Sequence, residues 1–144
     1  MRYFDTSFLT PLILQEASSE KVEAFIARLP VRELCTSHWT RTGFASLLAR
    51  EVRMGGLTED NALAAMDQFD TMVAESFRIL IPGVADFELA TRYLKHFATK
   101  LRAGDALHLA IASNQGAKMF YTLDQGLLAA AKLLKVHASR GIKP

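Results

Sequence analysis

Residues 103–121 read AGDALHLAIASNQGAKMFY and hold two different patterns in succession. Residues 103–115 are apolar on nearly every side of a helical repeat, and Gly116 favours a helix end directly after them. Residues 118–121 are short, apolar and suited to a β-strand. A helix without a polar face is buried on all sides, so we expect this one to lie in the middle of the domain.

Helical and strand patterns alternate along the rest of the chain. Strands that alternate with helices are typical of a parallel sheet, so the sequence predicts an α/β fold. Ser18 and Ser19 can cap the first helix, Thr58 the third and Asp86 the fourth. We expect the second and third helices to form a hairpin. Helices are predicted within 18–30, 44–55, 58–77, 86–97, 103–115 and 127–134, and strands at 2–4, 33–36, 78–81, 118–121 and 136–137.

The composition indicates one globular domain. The chain has 144 residues, 50% hydrophobic and 22% charged, which is enough for one core and too few for two ordinary domains. We therefore take residues 1–144 as a single domain. The net charge of +2 permits nucleic acid binding without demonstrating it.

The sequence also bears on localisation. Cys35 is the only cysteine, which excludes an internal disulfide and favours a reducing compartment. No apolar run approaches the ~20 residues that cross a bilayer, and Asp5 stands where a signal peptide would be apolar. We expect a cytoplasmic protein with no membrane partner. The sequence leaves the role of residues 135–144 open, with a solvent-exposed tail as one option.

Acidic side chains follow two of the predicted strands. Asp5 comes directly after the first strand, and Asp124 follows the strand at 118–121. Ligands of parallel sheets bind beyond the carboxyl ends of the strands, so we expect both carboxylates at one edge of the sheet. Asp105 begins the central helix, where an unpaired carboxylate is costly. Capping is the alternative for Asp5 and Asp124, and burial beside a basic partner is the alternative for Asp105.

Three carboxylates at one edge repel one another unless a cation lies between them. Mg²⁺ or Mn²⁺ suits an all-oxygen ligand set, and such an ion activates water and stabilises charge on a phosphodiester. Ser7 and Thr122 stand beside the acids and could orient water or phosphate. The pattern therefore predicts phosphodiester hydrolysis, with Asp5, Asp105 and Asp124 as catalytic and metal-binding residues.

Two other classes with acids at strand ends do not match. A phospho-acceptor receiver domain needs an acceptor Asp after the middle strand, which here ends Ile81-Pro82-Gly83. A phosphatase with two aspartates separated by one residue would need an acid at Ser7.

Four segments carry a resemblance that spans nearly the whole chain. They read FDTSFL at 4–9, TSHWTRT at 36–42, LRAGDALHLA at 101–110 and TLD at 122–124. Together they resemble the PIN-domain ribonucleases, and within these the VapC-type toxins of bacterial type II toxin–antitoxin systems. The segment at 101–110 is the most specific of the four.

The resemblance implies a PIN-like three-layer arrangement with a parallel sheet of four to five strands flanked by helices. It implies a metal-dependent endoribonuclease that forms a homodimer and is neutralised by a cognate antitoxin in a hetero-oligomer. The antitoxin's C-terminal segment would cover the acidic pocket. By this resemblance, Asp5, Asp105 and Asp124 are the metal-site acids.

Position 43 departs from the family pattern. Gly43 stands where the pattern carries a glutamate, so the fourth acid is missing. Glu51 cannot replace it, because eight residues of helix span about 12 Å at 1.5 Å per residue. A degenerate family member and a substitution selected against toxicity are the two explanations, and the intact other acids favour the second. We predict that Gly43 weakens metal binding and activity without disturbing the fold.

A second class of function follows from the same gap. A chain without the fourth acid could be a catalytically inactive binding module, which engages an antitoxin and takes part in repressing their own operon. Metal-dependent RNA cleavage separates this module from an enzyme.

Several other side chains have competing interpretations. Arg41 and Arg102 stand beside the motifs and could contact RNA phosphates, or they are simply solvated. His108 could act as a general acid or base, but a packed, hydrogen-bonded histidine fits the apolar helix better. Phe44 is expected in the core, whereas Trp39 is left open between packing and base stacking. Residues 8–14 are either core or part of a partner-binding groove.

Overall fold

The computed structural model describes residues 1–144 and contains one five-stranded parallel sheet. The strand order is β3-β2-β1-β4-β5, which puts β1 at the centre. Phe4 at the end of β1 pairs with Tyr121 at the end of β4, so the carboxyl ends of these strands lie side by side. The strands are β1 (Arg2–Phe4), β2 (Leu34–Ser37), β3 (Arg78–Leu80), β4 (Met119–Tyr121) and β5 (Ala138–Ser139).

Seven α-helices connect and cover the strands. A hairpin joins α3 and α4, as the sequence predicts, and α6 packs most extensively on α5. A one-turn 3-10 segment, Phe97–Thr99, precedes α6. The helices are α1 (Thr6–Leu9), α2 (Ser19–Ala27), α3 (His38–Arg53), α4 (Glu59–Ser76), α5 (Val84–Leu94), α6 (Ala103–Asn114) and α7 (Gln125–Leu133).

The core has two halves, one on each face of the sheet. Successive strand residues point to opposite faces, so Tyr3 packs with α5, α6 and α7, whereas Phe4 packs with α1 to α4. Phe44 is fully buried and stacks on Phe69 with ring centroids 4.3 Å apart. Cys35 is also buried. The predicted α/β three-layer arrangement is therefore confirmed.

The central helix α6 is buried as predicted. Seven consecutive residues, from Ala106 to Ala112, are buried, because α6 packs along α5 and shares one half of the core with Tyr3 of β1 and Phe120 of β4. The start of α6, with Asp105, lies in the same cleft as the residues that follow β1 and β4.

Some predicted boundaries are wrong. The fourth helix does not begin at Asp86: α5 begins at Val84, and Asp86 Oδ2 accepts a hydrogen bond from the Gly83 backbone N–H at 2.9 Å. Phe97 lies beyond α5 and is 85% exposed. The Ser18 side chain makes no capping hydrogen bond.

The last strand also differs from expectation, and the residues after it pack on the core. Strand β5 occupies 138–139 rather than 136–137. The segment after it is no free tail, because Gly141, with φ of +73°, packs against Phe8, Phe25 and Tyr121. A side chain at this position would be strained by the backbone and would meet those rings.

The apolar stretch at residues 8–14 belongs to the core. Phe8 and Leu9 are fully buried, and Leu12, Ile13 and Leu14 pack partly buried against the same half of the core. None of the seven helices combines the length and the apolar character needed to span a membrane.

Candidate acidic cleft

A cleft of about 290 Å³ opens beyond the carboxyl ends of β1 and β4. It contains all three predicted acids and the altered position 43. We call it the acidic cleft. Its lining residues are Asp5, Thr6, Ser7, Trp39, Gly43, Leu47, Gly104, Asp105, His108 and Asp124.

Asp5 is held by the fold as well as by its neighbours. It is the N-cap of α1, and its Oδ1 accepts hydrogen bonds from the Phe8 backbone N–H at 3.0 Å and the Ser7 hydroxyl at 2.8 Å. Only 3% of the residue is exposed. Burial raises the pKa of Asp5 to about 6, although these bonds and one from Thr122 lower it, and the charge of Asp105 raises it further.

Asp124 occupies the equivalent place after β4. It is the N-cap of α7, and its Oδ1 accepts from the Leu127 backbone N–H at 3.0 Å. The Ser7 and Thr122 hydroxyls lie 3.0 Å apart and link the two strand ends. Thr122 is fully buried and accepts a hydrogen bond from the Asp124 backbone N–H at 3.1 Å, and the Ser7 hydroxyl donates to Asp5. Both hydroxyls therefore position the acids in this structure, and a role in orienting water or phosphate stays a prediction.

Asp105 differs from the other two acids. It lies in the first turn of α6, half-buried, and no hydrogen bond contributes to its pKa. Burial raises the pKa of Asp105, and the charge of Asp124 raises it further, whereas the Arg102 guanidinium lowers it. The fold therefore gains no capping bond from this carboxylate. The desolvation of the carboxylate and its repulsion by Asp124 instead lower the stability of the folded state.

The opposite wall of the cleft comes from α3 and carries no acid. Helix α3 runs unbroken through Gly43. The Thr6 hydroxyl fills the space there: a Cβ at position 43 would lie 2.5 Å from Thr6 Oγ1. That hydroxyl has only long contacts, 3.5 Å to the Thr40 carbonyl and 3.4 Å to His108 Nε2. A larger side chain at 43 therefore displaces a hydroxyl that is weakly held.

His108 lies between the cleft and a buried network of hydroxyl groups. Its Nδ1 is 2.9 Å from the Tyr3 hydroxyl, which is itself 2.8 Å from Ser37 Oγ. Burial lowers the pKa of His108 to about 3, so the ring is neutral. The predicted packed, hydrogen-bonded histidine is confirmed. Because carboxylates line the cleft, we expect the proton on Nε2, the nitrogen nearer Thr6.

The side chains that flank the sequence motifs make different contacts. Trp39 is half-buried, and its Nε1 donates to the Gly104 carbonyl at 3.0 Å, which ties α3 to the start of α6. Arg41 does not line the cleft and forms an ion pair with Asp70 at 2.8 Å. Arg102 is exposed one turn from Asp105 and is the predicted basic residue that remains beside the acids.

The donor chemistry of the cleft fits a hard divalent cation. Carboxylate oxygens are what Mg²⁺ and Mn²⁺ prefer. The charge of Asp105 raises the pKa of Asp5, and the charge of Asp124 raises the pKa of Asp105. No three His, Cys, Asp or Glu side chains lie close enough together in this structure to hold a metal ion. The three carboxylates have the donor chemistry for such an ion and line one cleft, but they are not gathered around one point, and the wall at Gly43 adds no ligand.

Sequence reasoning missed Thr6, Tyr3 and Leu47. Thr6 and Leu47 line the cleft, and Tyr3 contacts His108 from β1. One signal for Tyr3 is present in the sequence. A tyrosine in a predicted buried strand needs a hydrogen-bond partner for its hydroxyl. Its partners Ser37 and His108 are distant in sequence, so the network depends on strand order.

Comparisons with known proteins agree with this architecture. The PIN domain profile matches residues 2–133. No curated protein matches the chain significantly. Among solved structures, FitAcB from Neisseria gonorrhoeae is 18% identical with a TM-score of 0.76, and the alignment covers 98% of both chains.

Two further structures share the fold. Mycobacterium tuberculosis VapC20, described as a sarcin-ricin loop cleaving toxin, is 21% identical with a TM-score of 0.69 over 90% of this chain and 95% of its own. VapBC-1 from nontypeable Haemophilus influenzae is 12% identical with a TM-score of 0.68 over 98% of each chain. The profile match covers most of the sequence, and the sheet order and acidic cleft accord with it. The chain belongs to the PIN domain family.

Proposed function

We propose that this protein is a VapC-type endoribonuclease toxin, which hydrolyses RNA phosphodiester bonds at the acidic cleft with a divalent metal ion and is attenuated by Gly43. The observation that carries the proposal is Asp105. Capping accounts structurally for Asp5 and Asp124, whereas Asp105 has no hydrogen bond and a raised pKa. A carboxylate held at a cost to stability in a cleft is a candidate for function.

Asp5, Asp105 and Asp124 are the residues that would hold Mg²⁺ or Mn²⁺. When bound, such an ion would supply an activated water and offset negative charge on the phosphodiester. Ser7 and Thr122 orient the Asp5 carboxylate through hydrogen bonds from their hydroxyl groups. Arg102 attracts the RNA backbone towards Asp105, and the neutral His108 presents a hydrogen-bonding nitrogen at the floor of the cleft.

Gly43 accounts for the proposed attenuation. Without an acid on α3, the cation would be held from one side of the cleft only. Loss of groups that merely support metal ligands costs about 10- to 100-fold in affinity or activity, so loss of a ligand should cost at least as much.

An antitoxin is the proposed protein partner. Its support comes from neighbours of similar fold, which include the VapBC-1 structure and FitAB bound to a DNA fragment. Exposed apolar side chains just before and at the start of α5, namely Ile81, Val84 and Phe87, offer a surface for the proposed homodimer or for the antitoxin. A cytoplasmic location accords with an RNA substrate.

A binding module is the second candidate function, and Gly43 is the observation that favours it. If the remaining acids hold no metal, the chain would act only through its partner. It would then engage the antitoxin and take part in operon autoregulation without cutting RNA.

Cleavage of total RNA tests the proposal. The wild type, Gly43→Glu and the uncharged isostere Gly43→Gln are each incubated with Mg²⁺, Mn²⁺ or EDTA. We expect weak cleavage by the wild type and by Gly43→Gln, at least about 10-fold faster cleavage by Gly43→Glu, and none in EDTA. If none of the three cuts RNA while each binds an antitoxin, the binding module replaces the enzyme.

A further inference from the structure

A second cavity shares a wall with the acidic cleft. It has a volume of about 550 Å³ and lies between residues 98–102 and one face of α7. Asp105 and Asp124 line both spaces, so a molecule in this cavity lies directly beside the acids. We call it the side cavity. Its volume is within the range of roughly 300–1,000 Å³ that is typical of small-ligand sites.

The side cavity is apolar inside and basic at its edge. Small or apolar residues of α7, among them Ala129, Ala130 and Leu133, form one wall. Lys100 and Arg102 line the other side, and both are exposed. Apart from the two shared aspartates, no acid lines it. This combination suits a flat apolar group attached to an anionic backbone.

The polar groups inside offer little hydrogen-bonding specificity. The Thr99 hydroxyl already donates to the His96 carbonyl at 2.8 Å and accepts from the Leu101 backbone N–H at 3.3 Å. At the start of α7, the Leu127 backbone N–H already donates to the Asp124 carboxylate at 3.0 Å. An occupant would therefore be held by apolar contact and by charge, with little selection among similar rings.

We propose that the side cavity binds one nucleobase of single-stranded RNA, next to the phosphate at the acidic cleft, with Lys100 and Arg102 on the adjoining backbone. The inference rests on the proposed ribonuclease function and deepens it. Single-stranded RNA splays its bases outward, and stacking accepts any base because each has an apolar face. Phe97 precedes the cavity-lining Ala98 in sequence and is 85% exposed, so it adds a free aromatic ring to this region.

Binding of labelled oligonucleotides in EDTA tests this site without cleavage. The probes are fluorescein-labelled 12-nucleotide oligo(A), oligo(U) and an abasic ribose-phosphate chain of the same length and charge, followed by fluorescence anisotropy. Ala129→Trp fills the cavity from an exposed helix position, and Leu133→Trp does so from a second. Ala64→Trp, at an exposed alanine of α4 that lines neither space, is the matched control.

We expect the wild type to bind oligo(A) and oligo(U) with similar affinity and the abasic chain at least about fivefold more weakly. Both cavity-filling variants should bind the base-bearing chains only as well as the abasic chain, and Ala64→Trp should behave as wild type. Circular dichroism identifies any variant that fails to fold. If a folded cavity-filling variant binds oligo(A) as tightly as wild type, the side cavity is not the base site, although the ribonuclease proposal stands. If the wild type binds no RNA in EDTA, the base-site proposal fails, whereas the metal-dependent cleavage of total RNA decides the ribonuclease proposal separately.

A variant of Lys100 and a matched control variant of Lys135 test the basic edge of the side cavity. Lys100 and Lys135 are the two non-glycine residues with positive φ, 57° and 60°, so glycine suits both backbones. Lys100→Gly should lower the slope of log affinity against log salt for oligo(U) by about 0.7, the value for one phosphate contact on a single strand. Lys135→Gly, away from the cavity, should leave it unchanged. Equal slopes for both variants would overturn the phosphate contact.

Discussion

The two walls of the acidic cleft differ in how their side chains contribute to the fold. On the strand-end wall, Asp5 and Asp124 each cap a helix and are held by backbone N–H groups. On the α3 wall, Gly43 contributes no side chain, and the Thr6 hydroxyl occupies the space. Asp5 and Asp124 each have a structural role as a helix cap, whereas nothing in the packing requires an acid at 43. We therefore expect that activity can be lost at the α3 wall without loss of the fold.

Asp105 belongs to the strand-end wall but shares none of its structural support. A substitution at Asp105 should therefore reduce RNA cleavage strongly without reducing the stability of the fold. In the Gly43→Glu background, Asp105→Asn should lower metal-dependent RNA cleavage by at least about 100-fold, while the melting temperature stays equal or rises because repulsion with Asp124 is relieved. Asp67→Asn, at an exposed position of α4, is the control. A variant that keeps its activity would remove Asp105 from the site.

The pKa of Asp5 predicts a pH dependence of stability in EDTA. Its folded-state pKa of about 6 lies above the ordinary 3.8, so the folded state holds the proton more tightly. Stability from this group is full below pH 3.8 and is lost as the pH rises through 6, by about 2–3 kcal/mol. Urea unfolding should show that Asp5→Asn, which cannot titrate, gains this amount over wild type between pH 4 and pH 7. No pH-dependent difference between the two would contradict the burial of Asp5.

Asp124 should behave as a cap. Asp124→Ala removes the bond to the Leu127 N–H and should lower the free energy of unfolding by about 1 kcal/mol. Thr58→Ala removes the equivalent cap of α4, whose side chain accepts from Asn61 N–H, and should cost a similar amount. Chemical denaturation measures both, and a more stable Asp124→Ala protein would show that repulsion outweighs capping there.

The smallest effect concerns the space at Gly43. Gly43→Ala gains helix propensity of about 1 kcal/mol but displaces the Thr6 hydroxyl. In a Thr6→Ala background the displacement is absent, so Gly43→Ala should be more stabilising there by about 0.5 kcal/mol or more. A double-mutant cycle in urea measures this difference. Strict additivity would mean that the two positions do not touch.

Much of the fold followed from local pattern. The apolar run in α6 and the alternation of strands and helices were enough for the layers, and Thr58 caps α4 as predicted. Strand β5 was misplaced by two residues because a two-residue edge strand has no pattern of its own. The spacing of Phe97 predicts a helical position, but α5 ends at Leu94 and the chain turns before Phe97.

The site was predictable where it lies beside a strand end, and less so where it depends on contacts between elements. Asp5 and Asp124 follow their strands directly, and Asp105 follows from the start of the buried helix. The burial of Thr122, the pairing of Arg41 with Asp70 and the contact between Tyr3 and His108 all depend on how separate elements meet. Such contacts leave no trace in local spacing.

The affinity for Mn²⁺ tests most directly the claim that the cleft is a metal site lacking one ligand on α3. Electron paramagnetic resonance of free Mn²⁺ would give the dissociation constant for the wild type, Gly43→Glu and Gly43→Gln at pH 7.5. We predict binding at least about 10-fold tighter for Gly43→Glu than for the other two, which should resemble each other. Equal affinity of all three proteins would contradict the account.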